Sequence, residues 1–496
     1  MNRYDEVAML IRRQIAAGTL KIGERLPSVR QMSAMTGYSC VTVHHGYELL
    51  ESQGICIAHQ RSGFYVTKAP QQLSGFPKPQ TALRPAARPA DNLLENVALS
   101  WAVHGVPALG SPEPSIDLFK RETLDRTYRQ VLRRGNGPGA PYPQGDPRLR
   151  HEIARRQAQR GAIVDPDSIL IAPSAMDAYS LCLDAFTSPG DAVLVESPSY
   201  FPMLAILKKR GLQIIELYSH PVLGADPNQF AYLLEHNPIK VAILMVGSHY
   251  PTGITYSAKS AQAFVEAAHE RNVVLIENDM LGELDYNGAG CTLKQFDTDD
   301  AVIQFSSFAQ ALSPAYGLGW IVAGRHARKL LATQYLNGVP SVDVLFQKAI
   351  AEHLSNRSYD RHLRIITSKL AARMQMGAEL VAEAFPRECS LSQPDGGYMC
   401  WLRCPMVDTN AVAAKATDEN IGILPGSMFS IAGSFQNFLA LNFSFPWTER
   451  QVSRIRRLGE LIEQMGKAAR PASWDIQDQA RLPRANHDGA RFARAP

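Results

Sequence analysis

Cysteine is scarce in this chain: seven residues in 496, scattered and odd in number. That excludes a disulfide framework and fits a reducing cytoplasm. Long apolar runs are missing as well. The longest, such as 241–246, fall far short of the roughly 20 residues a membrane helix needs, so no membrane partner is expected. The N-terminus carries no basic segment followed by an apolar one, as a secretory signal would. Charge of one sign is not in excess either. A net charge of +4 does not by itself announce nucleic acid. Cys400 and Cys404 fall four apart on an expected strand without a nearby Cys/His pair, so no metal is expected. With 45% hydrophobic and 20% charged residues the composition is globular, and the length calls for two or more domains.

Residues 1–68 read as a self-contained unit. Val7, Leu10, Ile11 and Ile15 fall on one face of a first helix, which Gly18 ends. Pro27 and Ser28 open a second helix with Ser28 as its N-cap, and Gly37 breaks it after Thr36. Ser39 caps a third helix that buries Val43, Tyr47 and Leu50, and Gly54 stops it. Two short apolar runs, 55–58 and 64–66, flank Arg61, Ser62 and Gly63 and predict a β-hairpin. Helix, turn, helix and hairpin form a DNA-docking architecture whose third helix enters the major groove. Thr42, His44 and His45 project from its non-core side, while Arg30 and Arg61 are placed to reach phosphates, which position without specifying. Eight basic side chains oppose five acidic ones in this segment.

The stretch GTLKIGERLPSVRQMSAMTGYSCVTVHHGYELLESQGICIAHQRSGFYV resembles the GntR family of winged-helix regulators almost end to end. Leu26-Pro27-Ser28, Arg30, Thr42-Val43, Tyr47, Leu50, Gly54 and Gly63 all land in register. The resemblance implies a double-stranded DNA operator as partner. It departs at Cys40, where many members place an arginine, so sequence preference is expected to differ.

Residues 69–90 hold five prolines and no acidic residue, the composition of a stiff, extended tether. From 469 to 496 periodicity is lost, and a disordered tail is expected.

Between them, residues 91–468 alternate short apolar runs (168–171, 192–196, 241–245, 273–276) with helical segments such as 258–269. This predicts an α/β domain with a parallel-rich sheet wrapped by helices. A helical stretch over 343–385 leads into a smaller α+β portion. The segments PYPQGDPRLRHEIARR, VESPSYFPML, HYPTG, LIENDMLGEL, QFSSFAQALSPAYGLGW, DGGYMCWL and ILPGSMFS resemble the motifs of fold-type I aminotransferases, which depend on pyridoxal 5′-phosphate (PLP). A GntR head on such a body is the arrangement of the MocR-type regulators.

The resemblance also implies which positions should carry the chemistry. PLP needs a lysine amine for its Schiff base. The matching residue is Gln310, whose amide nitrogen has no basic lone pair, and no lysine lies between Lys294 and Lys329. The carboxylate that holds the pyridine nitrogen is replaced by Asn278, with Asp279 expected to point the other way. The Asn and Tyr that meet the phenolic oxygen become Tyr250 and Leu281. The phosphate-binding arginine becomes Gly317, and the arginine for a substrate carboxylate becomes Ala440. Ser307 keeps the place of a phosphate-contacting serine, Ser174 and Ala175 open the helix facing the phosphate, and Tyr200 keeps the stacking position.

The expected function is therefore transcription regulation by a homodimer. Its aminotransferase-like body is catalytically inactive, holds PLP at most non-covalently, and keeps a re-lined cleft for a small-molecule effector. The competing readings are an active aminotransferase with an accessory DNA head, and a DNA-binding dimer with no effector.

Overall fold

The computed structural model describes residues 3–16, 20–21, 23–52, 55–59, 63–66, 108–119, 121–134, 142–288, 290–339, 342–355 and 358–469. Gly18, Gly54, Arg61, the 69–90 segment and the tail from 470 onward lie outside the described residues.

The head packs three helices, α1 (Arg3–Ala16), α2 (Val29–Thr36) and α3 (Cys40–Ser52), against an antiparallel hairpin of β1 (Cys56–His59) and β2 (Gly63–Val66). Val7, Ile11, Met32, Val43, Tyr47 and Leu50 are fully buried in one core. Each such side chain contributes roughly 1.5–3 kcal/mol relative to exposure. The expected caps form. Ser28 and Gln31 make a reciprocal capping box at the start of α2, and Gly37 closes its end at φ 73°. Ser39 accepts from Thr42 N at 3.1 Å at the start of α3. One feature escaped the periodicity. Residues 23–26 add a third strip to the hairpin, through Gly23 N to Val66 O at 2.8 Å and Leu26 N to Phe64 O at 2.8 Å.

In the body, α4 (Arg121–Arg133) and α5 (Pro147–Gln159) precede an eight-stranded sheet. In chain order its parts are β3 (Ile169–Ala172), α6 (Ala175–Phe186), β4 (Ala192–Ser197), α7 (Phe201–Lys209), β5 (Gln213–His220), β6 (Gly224–Ala225), α8 (Pro227–His236), β7 (Ile239–Leu244), α9 (Ala258–Glu270), β8 (Val274–Asn278), β9 (Ile303–Ser307) and β10 (Gly319–Val322). The spatial order is β3-β10-β9-β8-β7-β4-β5-β6. The run from β9 to β5 is parallel, as expected. β10, between β3 and β9, and the short edge strand β6 are antiparallel to their neighbours. Alternate side chains serve the two faces: Leu170 and Ile321 enter one core, while Ile169, Ile171, Trp320 and Val322 enter the other.

After α10 (Ala327–Leu336), the 343–385 stretch divides into α11 (Val344–Ser355) and the long α12 (Ser358–Ala384). A four-stranded antiparallel sheet follows, ordered β11 (Ser390–Leu391), β12 (Met399–Arg403), β14 (Phe438–Asn442) and β13 (Leu424–Pro425). α13 (Thr409–Asp418) and α14 (Glu449–Ala469) pack on it, with Val412, Ile455, Leu458 and Ile462 in a shared core. Among the described residues no helix is long and apolar enough to cross a membrane, and no group of three His, Cys, Asp or Glu side chains is placed to hold a metal ion.

Candidate functional site

Two places gather the sequence-predicted residues. The first is the outer face of α3. Tyr47 pins this helix to the turn before α2, its buried phenol donating to Pro27 O at 2.7 Å. His44 and His45 stay exposed but lean to opposite neighbours. His44 sets its edge on Phe64 of the hairpin at 6.0 Å, and His45 on Tyr4 of α1 at 6.4 Å. Thr42 is half-buried and joined to Ser39, hydroxyl to hydroxyl at 2.9 Å. Between the two histidines the helix presents Val41, 66% exposed. Arg30 is exposed on α2. Gly63 begins β2 at φ 101°, and a side chain there would crowd the Arg25 guanidinium, so Arg25 lies at the tip of the hairpin.

The second place is a cleft at the C-terminal ends of the sheet strands, where open α/β sheets ordinarily bind ligands. Tyr200, Met245, Tyr250, Asn278, Met280, Leu281, Gln310, Pro112 and Tyr398 line it. Gln310 is fixed on both sides. Its Nε2 donates to Glu113 Oε2 at 3.2 Å, and its Oε1 lies 3.0 Å from the Tyr398 hydroxyl, whose single proton is shared with Pro112 O at 2.7 Å. Burial raises the Glu113 carboxyl above the ordinary carboxylate range, opposed by the Gln310 hydrogen bond. Burial also holds the phenols of Tyr200, Tyr250 and Tyr398 above their ordinary value, with the Glu113 charge acting in the same direction. The Tyr200 ring meets Tyr250 edge-on at 5.1 Å, and the buried Tyr250 hydroxyl has no hydrogen-bond partner among the described residues. Asn278 is spent locally, donating to Met203 Sδ at 3.3 Å and accepting from Met280 N at 3.1 Å. The side chains leave a cavity of about 20 Å³, room for about one water.

Asp279 turns away from this cleft, as alternation predicts, into the bidentate grip of Arg160. Ser174, Ala175, Ser307 and Gly317 gather beside this small cavity, where β3, β10 and β9 lie side by side. Ser307 donates to Gly317 O at 3.4 Å, and Gly319, which opens β10, lies against Ser174 and Ala175. Ser174 caps α6 and donates to the Asp177 carboxylate at 2.6 Å, so an acidic group already stands at that helix N-terminus. Ala440 is fully buried in β14 opposite Trp401.

Residues 117–446 match the model of aminotransferase class I and II, and residues 3–66 match that of the bacterial regulatory proteins of the gntR family. The HTH-type transcriptional regulator YdcR of Escherichia coli is 34% identical over 94% of this chain and 100% of its own length. A second, YjiR of the same organism, is 30% identical over 93% and 99%. This chain belongs to the GntR-type transcription regulators with an aminotransferase class I/II domain, the MocR-like architecture. The likeness to the solved enzyme structures is one of fold. The multiple substrate aminotransferase from Thermococcus profundus superposes with a TM-score of 0.69 at 23% identity, covering 77% of this chain and 96% of that one. The kynurenine aminotransferase of Pyrococcus horikoshii gives 0.69 at 22% identity over 76% and 95%.

In this MocR-like regulator the tertiary structure thus brings Tyr200, Tyr250, Asn278, Leu281 and Gln310 together. Sequence reasoning gave no individual role to Glu113, Arg25, Val41 and Asp177. Glu113 sits in the irregular Ser-Pro-Glu-Pro-Ser segment, which has no period to read. Arg25 counted only as one of the head's eight basic side chains until residues 23–26 joined the hairpin and set it at the tip. Tyr398 lay inside a recognised motif, DGGYMCWL, without a role.

Proposed function

We propose that this protein is a homodimeric, cytoplasmic regulator that reads its operator with α3 and senses a small molecule in a cleft that no longer performs PLP chemistry. Residues 1–68 act as the DNA head, 69–90 as the tether and 91–468 as the effector and dimerisation body. In the head, Val41, Thr42, His44 and His45 face base edges, and an exposed Val41 suits a thymine methyl. Arg25, Arg30 and Arg61 take phosphates, with Ser28, Ser39 and Gly63 holding the elements that present them.

The observation that carries the cleft reading is the Gln310 amide held between Glu113 and Tyr398. The lining does not fit PLP. No amine stands there to form the Schiff base, Asn278 cannot supply a carboxylate, Gly317 and Ala440 bring no cation, and Asp177 sets a negative charge at the α6 N-terminus. Losing two charge-assisted hydrogen bonds at roughly 1.5–3 kcal/mol each weakens binding by about a hundredfold or more. With Glu113 as the nearby charge, the cleft suits a neutral or cationic effector. Binding must displace the Gln310 clamp, and an effector that prefers the open arrangement shifts the balance between two placements of the heads on DNA.

Equilibrium dialysis with PLP, absorbance before and after borohydride, and operator affinity with and without candidate amines test this reading. A borohydride-sensitive aldimine band in the purified wild-type protein would falsify it.

A further inference from the structure

The small sheet brings two cysteines face to face. β11 pairs with β12 in the register Ser390 opposite Arg403 and Leu391 opposite Leu402. One step further along the same ladder, Cys389 stands opposite Cys404. Ser392 N donates to Trp401 O at 2.8 Å, which marks that couple as a hydrogen-bonded pair. Antiparallel pairs alternate, so Cys389 and Cys404 form a non-hydrogen-bonded pair. There the backbones approach to about 4.5 Å between Cα atoms, within the span a disulfide bridges. The two Sγ atoms lie 3.5 Å apart, and all seven cysteines of the chain are free thiols. A small χ1 rotation covers the remaining distance to a bonded length of about 2.05 Å.

The two thiols differ in access. Cys389 is half-buried, in the turn that follows α12, beside exposed Arg387 and Glu388. Cys404 is fully buried, at the end of β12. Burial and the neighbouring Cys389 hold the Cys404 thiol well above its ordinary value, so its proton stays on until a partner is in place.

We propose that Cys389 and Cys404 are a modification site, a thiol pair that a hydroperoxide converts to a reversible disulfide within the body of one chain. Cys389 meets the oxidant. Its thiolate attacks the peroxide, the O–O bond breaks, and a sulfenic acid and hydroxide form. The Cys404 sulfur then attacks the Cys389 sulfur. The S–S bond forms, the S–O bond breaks, and the second hydroxide leaves with the Cys404 proton as water. In total two thiols and one hydrogen peroxide give one disulfide and two waters. The bond ties the turn after α12 to β12, the strand whose opposite end delivers Tyr398 to Gln310.

The full-length protein is to be treated with hydrogen peroxide under native conditions, alkylated, and mapped by mass spectrometry. The expected product is an intrachain Cys389–Cys404 peptide, lighter by two hydrogens and restored by dithiothreitol. Its melting temperature should rise, because the tie restricts the unfolded chain. Cys389→Ser removes the cross-link and the rise. Cys404→Ala should do the same, and the Cys389 variant keeps the test decisive if the buried substitution disturbs folding. Sulfinic or sulfonic acid at Cys389 without cross-link, an interchain bond, or both thiols recovered unchanged would each overturn the proposal.

Discussion

Gln310 donates to Glu113 at 3.2 Å and in the same pose sets its Oε1 3.0 Å from the Tyr398 hydroxyl, which it shares with Pro112 O, so one neutral amide fills the centre of the cleft with both its polar atoms engaged. Replacing it with lysine sets an ammonium against the Glu113 carboxylate. Gln310→Lys should therefore form an ion pair and still give no aldimine absorbance when PLP is added, because Asn278 and Gly317 are unchanged. A Schiff-base band in that variant would mean that the other substitutions do not by themselves exclude PLP.

Arg160 and Asp279 are a buried bidentate pair beneath the cleft. Arg160→Ala leaves a carboxylate buried without its partner. Breaking such a pair costs about 3–5 kcal/mol, and denaturant melts of the body should register it. A double change to Arg160→Met with Asp279→Leu should recover part of the loss.

In the head, Tyr47→Phe removes the hydrogen bond to Pro27 O and leaves that carbonyl short of a partner. A loss of about 1 kcal/mol is expected, read from the thermal unfolding of the head by circular dichroism. Ser28→Ala should cost a similar amount through the lost capping box.

DNA contacts of the two kinds should separate by salt. Arg25→Ala and Arg30→Ala should each weaken binding about equally for operator and random duplex, and each should reduce the salt slope by about one phosphate contact. Val41→Ala and His45→Ala should instead reduce discrimination, by about 1–3 kcal/mol at one base pair. Fluorescence anisotropy at several salt concentrations distinguishes them, and an unchanged specificity ratio in the second pair would remove these residues from the base-reading set.

Glu196 and His249 lie 3.7 Å apart in the core, with Glu196 accepting from Met245 N at 2.5 Å and from the Tyr256 hydroxyl. Burial pushes Glu196 from 4.5 up to about 7 and His249 from 6.5 down to about 3. A carboxyl with a raised folded value contributes fully below pH 4.5, and that contribution is lost as pH climbs to about 7. An imidazole with a depressed folded value contributes fully above pH 6.5, and that contribution is lost as pH falls to about 3. From pH 4.5 to 6.5 the two slopes oppose each other. Glu196→Gln removes one of them, so relative to the wild-type protein the variant should gain stability as pH rises across that window, by up to about 3 kcal/mol. Melting temperatures of both proteins measured against pH check the difference.

The sequence by itself determined the head almost completely. Its core positions recur at helical spacing, and its caps are local contacts between residues three apart, so Val43, Tyr47, Leu50, Ser28 and Ser39 were legible from the order of residues alone. It also determined that an amide, not an amine, occupies position 310, because identity at a motif position needs no coordinates. What that amide does was decided only by the tertiary structure. Glu113 and Tyr398 lie 197 and 88 residues away along the chain, and no periodicity links positions so distant. The antiparallel insertion of β10 into the sheet, the joining of 23–26 to the hairpin and the meeting of Cys389 with Cys404 have the same origin. Each depends on which strands lie side by side, and that is fixed by packing of the whole domain rather than by any local run of residues.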